Sequence, residues 1–191
     1  LGPVGLFLFG DVIRSVLGLE IPAAWLALPS ASALVFLAGA LIAGSFGEEV
    51  GWRGLAQPRL QLRHGALPAA IIVGLVWSVW HLWPVVAPGG FGVTGVDGVI
   101  FTFVRLTATS VLYAWLLNRT HGSLLIVMLA HAGHNIAAQV VPLPGGTQHA
   151  DPVTALLYVL AAVIVVAFDR PTWRSSTPAR TEPATYPRQA P

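Results

Sequence analysis

Cysteine and lysine are both absent from this sequence. Without cysteine there is no disulfide, no thiolate-held zinc or iron–sulfur cluster and no thiol nucleophile. Charge of either sign is scarce. Charged residues make up 9% of the 191-residue chain, against about 25% in a typical soluble domain. Hydrophobic residues make up 55%, and the mean hydropathy is +0.73. So few charges cannot cover a surface that faces water, and a polytopic membrane protein is the expectation. The basic charge rests on arginine alone, and the arginines are spread along the chain. That spread reads as membrane topology and excludes a nucleic-acid-binding stripe. No secretory leader pattern and no internal repeat is evident. The chain starts at Leu1 rather than Met, which leaves room for a further span ahead of it.

What is present is a set of long apolar runs. About six can be marked, each near the ~20 residues needed to cross a bilayer: 2–19, 22–46, 66–87, 98–117, 123–141 and 152–168. The first is weakened by Asp11 and Arg14, which are three apart and able to pair. The predicted fold is an all-α transmembrane bundle over residues 1–168 with a buried polar cavity. A Pro- and Arg-containing tail, 169–191, is predicted to be disordered. Arg53, Arg59 and Arg63 follow the second run, Arg119 the fourth, and Arg170, Arg174, Arg180 and Arg188 the sixth. The connections at 88–96 and 142–150 carry no arginine. The positive-inside rule then places the C-terminus in the cytoplasm. The absence of lysine with abundant Ala, Gly, Val and Leu suggests a bacterial source, hence an integral protein of the plasma membrane in contact with its lipids.

Polar residues inside such runs are costly, about 2.5–3.5 kcal/mol for a central charge, so they mark function or packing. Three groups stand out. In GSFGEEVGWRG, Glu49 and Arg53 are i,i+4 and can pair, while Glu48 lies about 100° round the helix and is free to act elsewhere. In VWSVWHLWP, His81 lies among Trp77, Trp80 and Trp83. In LAHAGHNIA, His131 and Asn135 share a helical face, and Gly133 offers a close approach to another backbone. Each group alone has a plainer reading: a boundary charge cluster, an aromatic belt, and interhelical hydrogen bonds. Together they could surround one water. Glu48 would serve as general base, with His81 and His131 positioning the water and steadying an oxyanion. Alternatively, Glu48, His81 and His131 could hold a divalent metal such as zinc, although the H-E-x-x-H signature is absent. Such equipment hydrolyses an amide without a Ser or Cys nucleophile. A silent immunity or scaffold protein, or a small proton-coupled transporter, are the alternatives. Arg105 is read as snorkelling outward, and His134 as packing or support.

The three motifs resemble, in kind and order, those of the CPBP family of membrane proteins, also called Abi proteins. That family includes CAAX prenyl endopeptidases and bacteriocin-processing or self-immunity proteins. The likeness rests on Glu48-Glu49-Val50-Gly51-Trp52-Arg53, Trp77-Ser78-Val79-Trp80-His81 and His131-Ala132-Gly133-His134-Asn135, within residues 41–141. It implies an intramembrane endopeptidase acting on a membrane-associated peptide. Glu48 would activate water, Glu49 and Arg53 would support it, and His81, His131 and Asn135 would complete the cluster. The family's second motif usually opens on Phe, where this chain has Trp77; the larger ring implies a narrower pocket.

Overall fold

The computed structural model describes residues 2–82, 95–144 and 151–174. Within them the chain is all helical: α1 (Gly2–Val16), α2 (Ala31–His64), α3 (Ala66–Trp80), α4 (Val96–Arg119), α5 (Leu124–Val140), α6 (Pro152–Phe168) and α7 (Arg170–Arg174). Trp83, most of the two arginine-free connections and the tail from residue 175 lie outside the described residues. Two helices, α2 and α4, are long and apolar enough to cross a membrane, while α3, α5 and α6 are apolar but shorter.

The second run was expected to turn helical near residue 22, but α2 begins at Ala31. Pro29 cannot extend a helix backward, and the Ser30 hydroxyl accepts from Ala33 N at 3.2 Å, a cap for the exposed first turn. The helix then runs past the expected end. Two of its stretches, Ala40–Glu48 and Trp52–Ala56, are π-helical. Glycines at 39, 44, 47, 51 and 54 weaken the α form there and allow a wider turn. Arg53 is therefore an interior helix residue, not part of a connection. At Gly65 the backbone enters the left-handed region (φ 82°) and turns the chain into α3.

α3 packs on α4, α4 on α6, and α1 on α5 and α6, while the first π stretch of α2 lies on α5. The closest approach is at Gly74 of α3. A Cβ there would lie 2.7 Å from Thr107 Cα and 2.9 Å from Ser110 Cβ. Gly133 is different, since a Cβ would meet Pro3 at an ordinary 3.7 Å, so the close approach expected at Gly133 occurs at Gly74 instead.

Polar ties fix the two ends. Gln61 Nε2 donates to Asn118 Oδ1 (3.0 Å), and Arg119 pairs with Asp169 (3.2 Å). The ends of α2, α4 and α6 thus share one end of the bundle, the arginine-bearing one. Trp115 Nε1 also donates to Asp169, and this bond first of all holds the Asp169 carboxyl below its usual range. At the other end Arg14 pairs with Asp11 (2.9 Å), as the spacing predicts, and also with Asp151. Asp151 caps α6 by accepting from Thr154 N at 2.7 Å. The arm expected to be unfolded from residue 169 starts with α7, where Trp173 Nε1 donates to Val165 O (3.0 Å).

Candidate functional site

The π-helical stretches of α2 bring both glutamates and Arg53 against α3 and α5. Glu49 and Arg53 are fully buried and paired, Arg53 Nη1 to Glu49 Oε1 at 3.0 Å. The same oxygen receives His131 Nδ1 from α5 at 2.9 Å. A carboxylate paired with arginine can only accept, so this contact puts the proton on Nδ1 and leaves the neutral ring's lone pair on Nε2. The guanidinium of Arg53 lies over two neighbouring aromatic rings. Its Cζ is 4.7 Å from the Trp77 ring centroid and 5.0 Å from that of Tyr113, where cation–π attraction offsets part of the desolvation.

Trp77, 2% exposed, is the hub of the site. Its indole Nε1 donates to Glu48 Oε2 at 2.7 Å. Its ring meets His81 edge-on at 5.2 Å and His131 edge-on at 5.5 Å. Its backbone carbonyl accepts from His81 Nδ1 at 3.0 Å, which again leaves the neutral imidazole's lone pair on Nε2. Asn135 joins from α5. Its Nδ2 donates to Ser45 Oγ at 2.9 Å, on the π stretch that ends in Glu48. A Cβ placed on Gly44 would stand 3.8 Å from Asn135 Nδ2 and 3.8 Å from Glu48 Oε1. The bare glycine therefore lets these two polar atoms face the same small space.

All six residues singled out from sequence thus lie around one place: Glu48, Glu49, Arg53, His81 and His131 about the Trp77 indole or its partners, and Asn135 beside them through Gly44 and Ser45. A ready-made metal cage is another matter. Among the described residues no three His, Asp or Glu side chains gather as a metal ion would require. In the trio Glu48, His81 and His131, each imidazole is engaged at Nδ1 and keeps its Nε2 lone pair, the donor pattern of a metal-binding histidine, while the Glu48 carboxylate is drawn to the indole.

Three participants escape a reading of sequence alone. The Trp77 N–H counted only as aromatic wall, while Tyr113 and Ser45 carry no motif at all. Ser45 had a usable signal, lying one helical turn before Glu49 in a run otherwise free of hydroxyls and charges from residue 33 to 47. Arg105 does not snorkel. It is 1% exposed, and its Nη1 lies 3.2 Å from His134 Nε2. His134 also bonds the Tyr158 hydroxyl and meets the Phe7 ring edge-on, so it ties α5 to α6 and α1, in keeping with its reading as packing.

Comparison with known proteins agrees with the motifs. A family model described as type II CAAX prenyl endopeptidase Rce1-like matches residues 30–137, a stretch that takes in all three motifs. The chain is 26% identical over 132 residues to CAAX prenyl protease 2 of Methanococcus maripaludis. That alignment covers 66% of this chain and 47% of the relative, so the chain spans about half the length of the curated protein it matches. With the motif residues of α2, α3 and α5 converging on one polar space, the chain belongs to the Rce1-like family of type II CAAX prenyl endopeptidases.

Proposed function

We propose that this chain is an integral-membrane endopeptidase that hydrolyses a peptide bond of a membrane-associated substrate with water activated by Glu48. The observation that carries this is the division of labour between adjacent carboxylates. Glu49 is committed to Arg53 and His131. Among the described residues Glu48 forms no ion pair, and its Oε1 lies on the same side of Gly44 as the Asn135 amide. In the proposed step Glu48 takes a proton from the water, and the hydroxide oxygen bonds to the scissile carbonyl carbon. The carbonyl oxygen becomes an oxyanion. On collapse the C–N bond breaks, and Glu48 returns the proton to the leaving amine. Asn135 offers an N–H in any protonation state. His131, whose Nδ1 is held by Glu49, offers one when Nε2 also carries a proton. His81, turned by its bond to the Trp77 carbonyl, positions the water. Water and side chains suffice for this sequence of bonds. The arginine-bearing end of the bundle faces the cytoplasm.

The substrate class is tested by offering purified protein in proteoliposomes two peptides in parallel, a farnesylated CAAX-type peptide and an unmodified hydrophobic peptide. Cleavage of either is expected to fall by a factor of about 10²–10⁴ in Glu48→Gln and in His131→Ala, with Glu48→Gln still inserting and melting like wild type. Wild-type protein that cuts neither peptide, or a Glu48→Gln variant that cuts as fast as wild type, would overturn the reading in favour of a silent membrane partner.

A further inference from the structure

Trp77 replaces the Phe that usually opens the family's second motif, and a Phe ring would serve equally as a wall for Arg53 and the two imidazoles. The indole adds one polar capability, its N–H. In this chain that N–H is directed at Glu48 Oε2, 2.7 Å away. A carboxylate turns freely about its last torsion unless something holds it, and a charge-assisted bond of this length holds it well. The indole itself is fixed by a guanidinium on its face and imidazoles at 5.2 and 5.5 Å. Its main-chain carbonyl orients His81 at the same time. We infer that Trp77 is a positioning residue: its N–H locks Glu48 Oε2 and thereby presents Oε1 to the attacking water beside Asn135. The inference rests on the peptidase reading, and it makes general-base geometry in this chain depend on one indole proton.

The test separates the proton from the ring. Trp77→Phe keeps an aromatic wall, and replacement of Trp77 by β-(3-benzothienyl)alanine keeps the full bicyclic shape with sulfur in place of N–H. Both are expected to lower kcat by tenfold or more while KM stays within about twofold, and the benzothienyl protein should melt like wild type. The peptide is whichever of the two above the wild type cleaves. A benzothienyl variant with wild-type kcat overturns the positioning role and leaves the peptidase reading standing. A second readout needs no turnover. In indole-¹⁵N-labelled protein the Trp77 N–H resonance, assigned by its loss in Trp77→Phe, should move upfield in Glu48→Leu. An unmoved resonance overturns the contact itself. Wild-type protein without cleavage overturns the peptidase reading and the catalytic consequence together, and the resonance then reports the contact alone.

Discussion

At the scale of single residues the site is organised by one shared oxygen. Glu49 Oε1 accepts from Arg53 on its own helix and from His131 on α5. Removing Arg53 leaves a fully buried carboxylate with a histidine as its remaining partner and opens a space beside two aromatic rings. Arg53→Ala should therefore destabilise the protein by ~3–5 kcal/mol, seen as a large drop in melting temperature in detergent. Arg53→Lys should recover little, because an ammonium cannot stack as a planar guanidinium over the Trp77 and Tyr113 rings. A lysine variant as stable as wild type would show that charge alone, without stacking, holds the site. The Glu49–Arg53 pair was legible from its i,i+4 spacing. The link to His131 was not, because nothing in a sequence says which of two histidines on α5 faces α2. Arg105 was misread for a related reason. Its position along one helix suggested a route to the interface, whereas His134 from a neighbouring helix supplies a partner inside the bundle.

At the scale of elements, apolar runs located α1, α3, α4, α5 and α6, misplaced α2 and gave no sign of α7. The described bounds of α4, α5 and α6 fall within a few residues of the runs 98–117, 123–141 and 152–168. The start of α2 was missed because hydropathy does not register Pro29 and the Ser30 cap, and its length was missed because two glutamates and an arginine look like a helix end. They are tolerated inside because each finds a partner there. The π geometry was not legible either, although the glycine spacing through 39–54 permits it. Helix contact gives a sharp prediction. Gly74 lies so close to the Thr107 backbone that any side chain must push α3 from α4. Gly74→Ala should cost ~1–3 kcal/mol by overpacking and should also slow the proposed cleavage, since Trp77 is carried one helical turn further along α3. Gly133→Ala, with room for its methyl, should melt within a degree or two of wild type. Equal melting temperatures for the two variants would contradict the close packing at Gly74.

At the scale of the whole molecule the distribution of side chains is inverted relative to a protein in water. Arg53, Glu49, Gln57, Gln61 and Arg105 are buried, while Leu28, Val35, Ile42, Trp80 and Phe168 face outward. A surface of that kind is stable where its surroundings are hydrocarbon. The orientation of the bundle within that layer follows from its ends. Gln61, Asn118, Arg119 and Asp169 are tied together at one, and Arg14, Asp11 and Asp151 at the other. Because this chain has no cysteine, single cysteines placed at exposed positions report sidedness without background. Arg63→Cys, His121→Cys and Arg174→Cys lie at the arginine-bearing end, and Leu17→Cys, just beyond Arg14, at the opposite one. A membrane-impermeant maleimide should label the first three from the cytoplasmic face in inverted vesicles and the fourth from the outer face of intact cells. Each substitution at the first end removes at most one positive charge, so the remaining arginines still set the orientation. Labelling of Arg63→Cys and Arg174→Cys from different faces would mean that α2 and α6 do not end together, and the convergence of α2, α3 and α5 on Trp77 would then have to be redrawn.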